Sequence, residues 1–453
     1  MSRWTLLAAA VAAAGAVVTS GCASAGASGP GALDGAATVV PANAVAFVAA
    51  STELASSQWH GLLRPFAQQL APYTQALGAE VDVAVLPGGR TVAFTQPDDT
   101  AKLAALVRSK HAASRVIGGW TAIAKQASTL VAVAGATAHL SDSSLFTQAM
   151  AAIPGGALVR AYANGTEAQR LLAALPGQLQ LTPAPGGVRF RLRRSSQPGQ
   201  PVATAQFKWV AAAVSSMSDG LELHAVARDD GITAPGPPRY ILHPTTPYTS
   251  TLVEEIPAGV LAVADFQVSQ GEFEQSTTLP QPLQQLFGSA QPQIVETELD
   301  TLLGGETAVY AGGGGLVPQV TLVTQPADTA AAANALDELL ASLPATSPLK
   351  QTPLVRATIG GQFVVSTSQA GIDAFRGGGP KLSSDAAFLA AEKQVGMTGE
   401  TTGFAYARVE EALPLLRLVG VKVPQGLPAL RSFLAYGSQT PDQLQLSAFL
   451  GVG

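Results

Sequence analysis

The residues of this chain that could do chemistry are few and mostly dispersed. His139-Leu140-Ser141-Asp142 sets three triad residue types side by side, which would suit nucleophilic acyl transfer, but triads assemble from distant segments of a fold. The matching stretch Lys381-Leu382-Ser383-Ser384 keeps only the serine, so helix capping is expected of both. His60, His111, His139, His224 and His243 show no paired spacing, and a metal needs ligands converging from one face or turn; no metal site is expected. Acids cluster at Asp98-Asp99, Glu254-Glu255, Glu410-Glu411, and Glu296, Glu298 and Asp300. Paired carboxylates could serve glycoside hydrolysis. Strand neighbours point to opposite faces, however, and acids at a helix start complement its dipole, so surface or capping roles are expected. Gly312 to Gly315 has no following Lys-Ser/Thr and lies between two strand-like runs, which predicts a glycine hairpin rather than a phosphate loop. G-x-S-x-G, H-E-x-x-H and C-x-x-C motifs are missing from the sequence. No catalytic residue and no cofactor is assigned, and a non-enzymatic protein is expected, an unrecognised hydrolase being the remote alternative.

Arg189, Arg191 and Arg193 alternate with Val188, Phe190 and Leu192, and Arg194 follows. As a strand this sets guanidinium groups on one face and apolar groups on the other. A charged edge strand that blocks sheet-to-sheet pairing is one reading. Contact with anionic lipid headgroups or an acidic envelope polymer is the other, at ~1 kcal/mol per charge near a membrane.

Cys22 is the single cysteine. Arg3 and the apolar run Trp4 to Val18 give Met1 to Gly21 the layout of a secretory signal, the apolar run itself being shorter than the ~20 residues that a membrane-spanning helix needs. Thr19-Ser20-Gly21-Cys22 resembles the lipobox of bacterial lipoproteins, departing from it at Thr19. The resemblance implies a diacylglyceryl group on Cys22 and an extracytoplasmic protein held at the cell membrane, each buried CH₂ adding ~0.8 kcal/mol. Cleavage after Ala23-Ser24-Ala25, releasing a soluble secreted protein, is the alternative. Residues 22–37, rich in Ala, Gly and Ser, are expected to be a flexible tether.

The elements that must position these residues come in two series. Thr95-Gln96-Pro97-Asp98-Asp99-Thr100-Ala101 recurs as Thr324-Gln325-Pro326-Ala327-Asp328-Thr329-Ala330, and Ile117-Gly118-Gly119 as Ile359-Gly360-Gly361. Leu140-Ser141 and Phe146 match Leu382-Ser383 and Phe388, and Ala161-Tyr162-Ala163 matches Ala405-Tyr406-Ala407, all in order. This pattern reads as a duplication: an α+β fold of two homologous repeats, 38–229 and 250–453, joined by a Pro-rich linker over 230–249. Each repeat is expected to hold mostly antiparallel hairpins flanked by helices. In each, an apolar strand (Val45 to Ala50; Val260 to Phe266) precedes a hairpin (Val81 to Leu86 with Thr91 to Thr95; Thr307 to Ala311 with Val320 to Thr324). A helix capped by Asp99 or Asp328 comes next, then a turn at Ile-Gly-Gly, a short helix, and a second helix that begins at Leu-Ser and buries Phe146 or Phe388. Strands at Ala157 to Ala163 and Gly403 to Ala407 follow, and alternating strands at Leu221 to Val226 and Leu444 to Phe449 close the repeats.

This series resembles a bacterial family called domain of unknown function 3352 (DUF3352). The resemblance rests on Val40-Pro41-Ala42-Asn43-Ala44-Val45-Ala46-Phe47-Val48, on Gly361-Gln362-Phe363-Val364-Val365-Ser366-Thr367-Ser368, and on Leu382-Ser383 to Phe388 with Phe404-Ala405-Tyr406-Ala407. It implies extracytoplasmic, often membrane-anchored proteins and supplies no active site. Composition fits: 47% hydrophobic against 13% charged residues is too apolar for a disordered chain, and a net charge of −5 argues against a nucleic-acid partner. The expected partners are the membrane, through the lipid, and an envelope protein, lipid or polymer. A binding or scaffold module of the envelope is the leading expectation; a carrier of lipid or another apolar molecule is the alternative.

Overall fold

A computed structural model describes residues 33–52, 76–165, 179–184, 187–192, 207–229, 247–268, 292–312, 318–344, 347–418, 430–440 and 442–453. The first series opens with strands β1 (Ala46–Ser51), β2 (Glu80–Leu86) and β3 (Arg90–Thr95), then helix α1 (Thr100–Ser109). Strands β4 (Ala113–Ile117) and β5 (Trp120–Ala124), helices α2 (Ala127–Ala134) and α3 (Ser144–Ala151), and β6 (Val159–Asn164) follow. After a separate hairpin, β7 (Leu179–Ala184) and β8 (Gly187–Leu192), come the long strands β9 (Phe207–Met217) and β10 (Gly220–Asp229).

The second series runs through β11 (Ala262–Val268), α4 (Pro292–Leu303), β12 (Gly305–Gly312), β13 (Gln319–Thr324), α5 (Thr329–Ser342) and the single turn α6 (Pro348–Gln351). It continues with β14 (Val355–Ile359), β15 (Gln362–Ser366), α7 (Gln369–Arg376) and α8 (Ala386–Val395). It ends with β16 (Gly403–Ala407), α9 (Val409–Leu418), β17 (Leu430–Thr440) and β18 (Gln443–Val452).

The fold is α+β, built on one large antiparallel sheet that has sixteen strands among the described residues. Inward from one edge the order is β4-β5-β3-β2-β1-β6-β9-β10; inward from the other it is β14-β15-β13-β12-β11-β16-β17-β18. The two series meet where β10 pairs with β18, from Gly220 opposite Gly451 to Arg228 opposite Gln443.

Local chemistry explains the elements. Asp99 accepts from the Lys102 backbone N–H at 2.9 Å, and Asp328 from Ala330 and Ala331 at 2.7 and 3.2 Å. Both satisfy donors that a helix start leaves free. The Ile-Gly-Gly turns join β4 to β5 and β14 to β15, with φ of 55° and 86° at Gly118 and Gly119 and 59° and 88° at Gly360 and Gly361; side chains rarely adopt these angles. The helix expected from Leu-Ser begins slightly later: Leu140–Asp142 and Leu382–Ser384 are 3-10 turns, and α3 and α8 start beyond them.

Helices cover the sheet in each series. On one face Phe47, Leu130, Phe146 and Tyr162 form a core, matched in the second series by Val263, Ile372, Phe388 and Tyr406. Phe146 and Phe388 each meet a tyrosine edge-on, Tyr162 and Tyr406, with ring centroids 5.2 Å apart. On the other face α1 packs through Leu103 and Val107 against Ile123, and α4 and α5 pack through Leu299 and Leu336 against Phe363 and Val365.

Two expected boundaries shift. Ala36 and Ala37 are buried in a 3-10 turn, Gly35–Thr38, so the segment expected as tether ends in the core. Tyr248 pairs with Thr401, so the expected linker hands over to the second series before residue 250. Residues 1–32, with Cys22, and 230–246 lie outside the described residues.

Candidate functional site

The registers of the sheet fix which side chains share a face, because directly opposed residues of an antiparallel pair project together. One row runs Val81, Ala50, Val159, Val214, Leu223, Ala448, Ala435, Ala405, Ala264, Val309, Leu322. It crosses β2, β1, β6, β9, β10, β18, β17, β16, β11, β12 and β13 without a polar side chain. At ~4.8 Å between neighbouring strands such a row is about 48 Å long. Flanking rows continue it with Val83, Val48 and Ala161 on one side of the centre and Ala407, Ala262 and Ala311 on the other. Val81, Ala50, Val214, Ala405, Ala264, Val309 and Leu322 keep intermediate exposure, whereas Leu223, Ala435 and Ala448 at the centre are buried. The row is aliphatic and uncharged, and most of its side chains are Ala or Val.

The opposite face carries a row in which buried charged and polar groups recur. It reads Asp82, Ala49, Arg160, Ala213, His224, Ser447, Tyr436, Phe404, Asp265, Ala308. Two acidic clasps lie toward its ends. In the first, Glu80 accepts from the backbone N–H of Asp34 and Gly35 at 2.9 and 3.1 Å, and Asp82 from that of Ala36 at 2.9 Å. Arg160 donates to Asp34 at 2.6 Å, to the Leu33 carbonyl at 3.1 Å, and to the Met150 carbonyl. Asp34 holds φ of 151°, a strained value for a residue with a side chain. Burial, then the charge of Glu80, pushes the Asp82 carboxyl far above the usual range.

In the second clasp Glu306 takes the backbone N–H of Thr251 and Leu252, both at 2.8 Å, and the Thr251 hydroxyl at 2.6 Å. Tyr248 donates to Asp265. Burial raises the Asp265 carboxyl to about 7, and the Glu306 charge adds to the rise. At the seam His224 and Ser447 oppose each other. His224 contacts the Ala152 carbonyl through Nε2 at 3.0 Å, while its Nδ1 and the Ser447 hydroxyl have no hydrogen-bond partner. The serine is fully buried and does not reach the imidazole, so the pair is not assembled as a nucleophile and its base.

The residues singled out in the sequence fall elsewhere. His139 and Asp142 close a turn, Asp142 accepting from the His139 backbone at 2.9 Å. Glu254 accepts from Ser383, Glu255 from Gln362, and Glu411 from Arg408. Glu296 and Asp300 depart from the surface role expected of them: both are buried on α4, one turn apart, and burial followed by the Asp300 charge raises the Glu296 carboxyl. Arg189 and Arg191 lie on β8 opposite Thr182 and Gln180, a strand as expected, in a two-stranded sheet of its own. Arg193, Arg194, His60, His243 and Gly313 to Gly315 lie outside the described residues. Among the described residues no group of three or more His, Cys, Asp or Glu side chains could hold a metal ion, and no helix is long and apolar enough to cross a membrane.

No family model and no curated protein matches the chain. Solved structures give matches to TP0453. Crystal form I has a TM-score of 0.26 and 9% identity over 45% of this chain and 81% of that one. Crystal form III gives 0.28 and 9% over 47% and 88%. Crystal form IV gives 0.26 and 11% over 43% and 81%. Likeness at this level supports no conclusion about fold or function.

Proposed function

We propose that this chain is a non-enzymatic module of the cell envelope, extracytoplasmic and anchored through Cys22, that binds the acyl chain of a lipid on its aliphatic sheet face. The observation carrying the reading is the row from Val81 to Leu322, apolar over eleven strands, with Val81, Ala50, Val214, Ala405, Ala264 and Val309 partly exposed and Leu322 packed against the α4–α5 core. An apolar surface left partly open beside those helices favours an apolar occupant. The absence of charge along the row suits a hydrocarbon chain rather than a headgroup. The lipobox-like Thr19-Ser20-Gly21-Cys22 and the resemblance to domain of unknown function 3352 agree with that location.

The chain is further read as a duplication, 38–229 and 250–453. The matching motifs and the equal strand order of the two series support this reading.

Native mass spectrometry of the full-length gene product, released gently from its own envelope and with any covalent acyl mass on Cys22 accounted for, tests the ligand. A lipid mass bound in fixed proportion is the expected result. An apo mass, together with no uptake of a fluorescent fatty acid from vesicles, rejects the reading. The scaffold alternative rests on a separate observation: β4, at one end of the sheet order, carries Val116 at 70% exposure, and a free strand edge can pair with a partner's strand.

A further inference from the structure

We propose that residues 248–256 form a strap over the core of the second series, clipped in place by a protonated Asp265 and released when that carboxyl ionises. This inference is independent of what the sheet face binds.

The geometry around one hydroxyl carries it. Ser250 Oγ lies 3.2 Å from Asp265 Oδ2 and 2.8 Å from Glu306 Oε1. A serine hydroxyl has one proton to donate. Between two carboxylates it can satisfy only one, and the other would face its lone pairs. If Asp265 carries the proton, every group has a role. Asp265 Oδ2–H donates to Ser250, Ser250 donates to Glu306, and Tyr248 donates to the remaining oxygen of Asp265. Glu306 accepts from the Thr251 and Leu252 backbone and from the Thr251 hydroxyl, which Gln325 in turn supplies at 3.0 Å.

No Lys, Arg or His among the described residues bonds or pairs with either carboxylate. Lys381, at the far end of the strap, donates to the carbonyls of Glu255, Phe375 and Gly377 at 2.9, 3.3 and 3.0 Å. Arg408 is held by Asp385 and Glu411. Glu254 and Glu255 on the strap are bonded to Ser383 and Gln362, and Glu400 beside Thr401 is exposed. The first clasp differs here, because Arg160 pairs with its Asp34. Two carboxylates buried side by side, with no cation from the described residues on either, repel and lack solvation, which agrees with the upward shift of Asp265 to about 7.

What the strap covers gives release a consequence. Leu252 and Ile256 are fully buried in the core with Val263, Phe388 and Tyr406. The backbone is tied down at Tyr248–Thr401 and at Pro257–Lys381, with the carboxylate clip between. Ionisation of Asp265 therefore loosens the middle of a segment whose ends are held, uncovering apolar core.

Hydrogen exchange read by mass spectrometry on the intact chain tests this. With a carboxyl near 7 when clipped and near 4 when released, protection of amides 250–256, corrected for intrinsic rates, should fall about tenfold from about pH 6 to about pH 8.5. Amides of β12 should keep theirs. Asp265→Asn, which stays neutral and still accepts from Tyr248, should make strap protection independent of pH. Glu306→Gln, which removes the added repulsion but leaves Asp265 buried, should lessen the dependence and serves if the first variant does not fold. Strap protection that is unchanged over this range in the native chain, a pH dependence that survives in folded Asp265→Asn, or one undiminished in folded Glu306→Gln, overturns the proposal.

Discussion

Buried acids show how residue identity and environment trade roles here. In the first series Asp82 on β2 opposes Ala49 on β1; in the second Asp265 on β11 opposes Ala308 on β12. The carboxyl occupies corresponding positions of the strand pair but comes from the neighbouring strand. Neither was singled out from the sequence: Asp82 between Val81 and Val83, and Asp265 between Ala264 and Phe266, alternate with apolar neighbours as an outward acid would. Their partners Asp34, Arg160 and Tyr248 come from separate segments and leave no local signal. The raised Asp82 carboxyl has a consequence for stability. Below the unfolded range, about pH 4, both folded and unfolded chains hold the proton and its stabilising contribution is complete. As pH rises toward the folded value, the unfolded chain sheds its proton first and stability falls. Asp82→Asn should remove that decline, so its denaturation midpoint, measured from pH 5 to 9, should change less with pH than that of the native protein. An equal slope for both would show that Asp82 is not the proton-holding group. Apolar positions were simpler to read. Phe146 and Phe388 were expected inside and are buried, and Phe388→Ala should cost ~3–5 kcal/mol in urea unfolding.

At the scale of elements, what the sequence revealed depended on whether a segment's two faces differ. β2 and β3 alternate and were expected as a hairpin, as were the Ile-Gly-Gly turns and the caps at Asp99 and Asp328. β9 and β17 were missed. Ala211, Ala212 and Ala213 are buried on both faces of β9, as are Leu434, Ala435 and Tyr436 of β17, so neither carries the period of two that betrays a half-buried strand. The helix α4 was missed for a related reason: its buried face includes Glu296 and Asp300 beside Val295 and Leu299, which blurs the apolar stripe. The caps give an element-scale test. Asp328 is the sole side chain accepting at the start of the fourteen-residue α5, which packs against α4 and β15. Asp328→Ala should lower stability by ~1 kcal/mol, with Asp328→Asn recovering most of it. Chemical denaturation of the three proteins decides; an alanine variant as stable as the native chain would mean the helix start is secured by packing alone.

The whole molecule is organised about the β10–β18 seam. His224 opposes Ser447 there, Leu223 opposes Ala448 and Ala225 opposes Leu446. In the duplication proposed above, Leu223 corresponds to Leu446, His224 to Ser447 and Ala225 to Ala448, the order of the two closing strands. Exchanging the series thus turns each of these pairs into the other and His224–Ser447 into itself. On that proposal a two-fold relation would pass through the pair, and each series would present at the seam an edge complementary to itself, as an isologous contact requires. The sequence showed the motifs but not this closure, since pairing order between distant strands leaves no local trace. It predicts how one series behaves alone. Residues 247–453 expressed without the first should fold and dimerise through β18, Ser447 facing Ser447 and Leu446 facing Ala448 of the other copy, because an open edge ten residues long is otherwise left unpaired. Light scattering coupled to size exclusion should give twice the chain mass. Proline at Leu446, which removes a ladder donor in the middle of that edge, should return it to a monomer or to disordered aggregates. A folded monomer of unmodified residues 247–453 would show that the seam needs what is particular to β10, His224 and Glu222 included, and that the two series have diverged past the symmetry their order preserves.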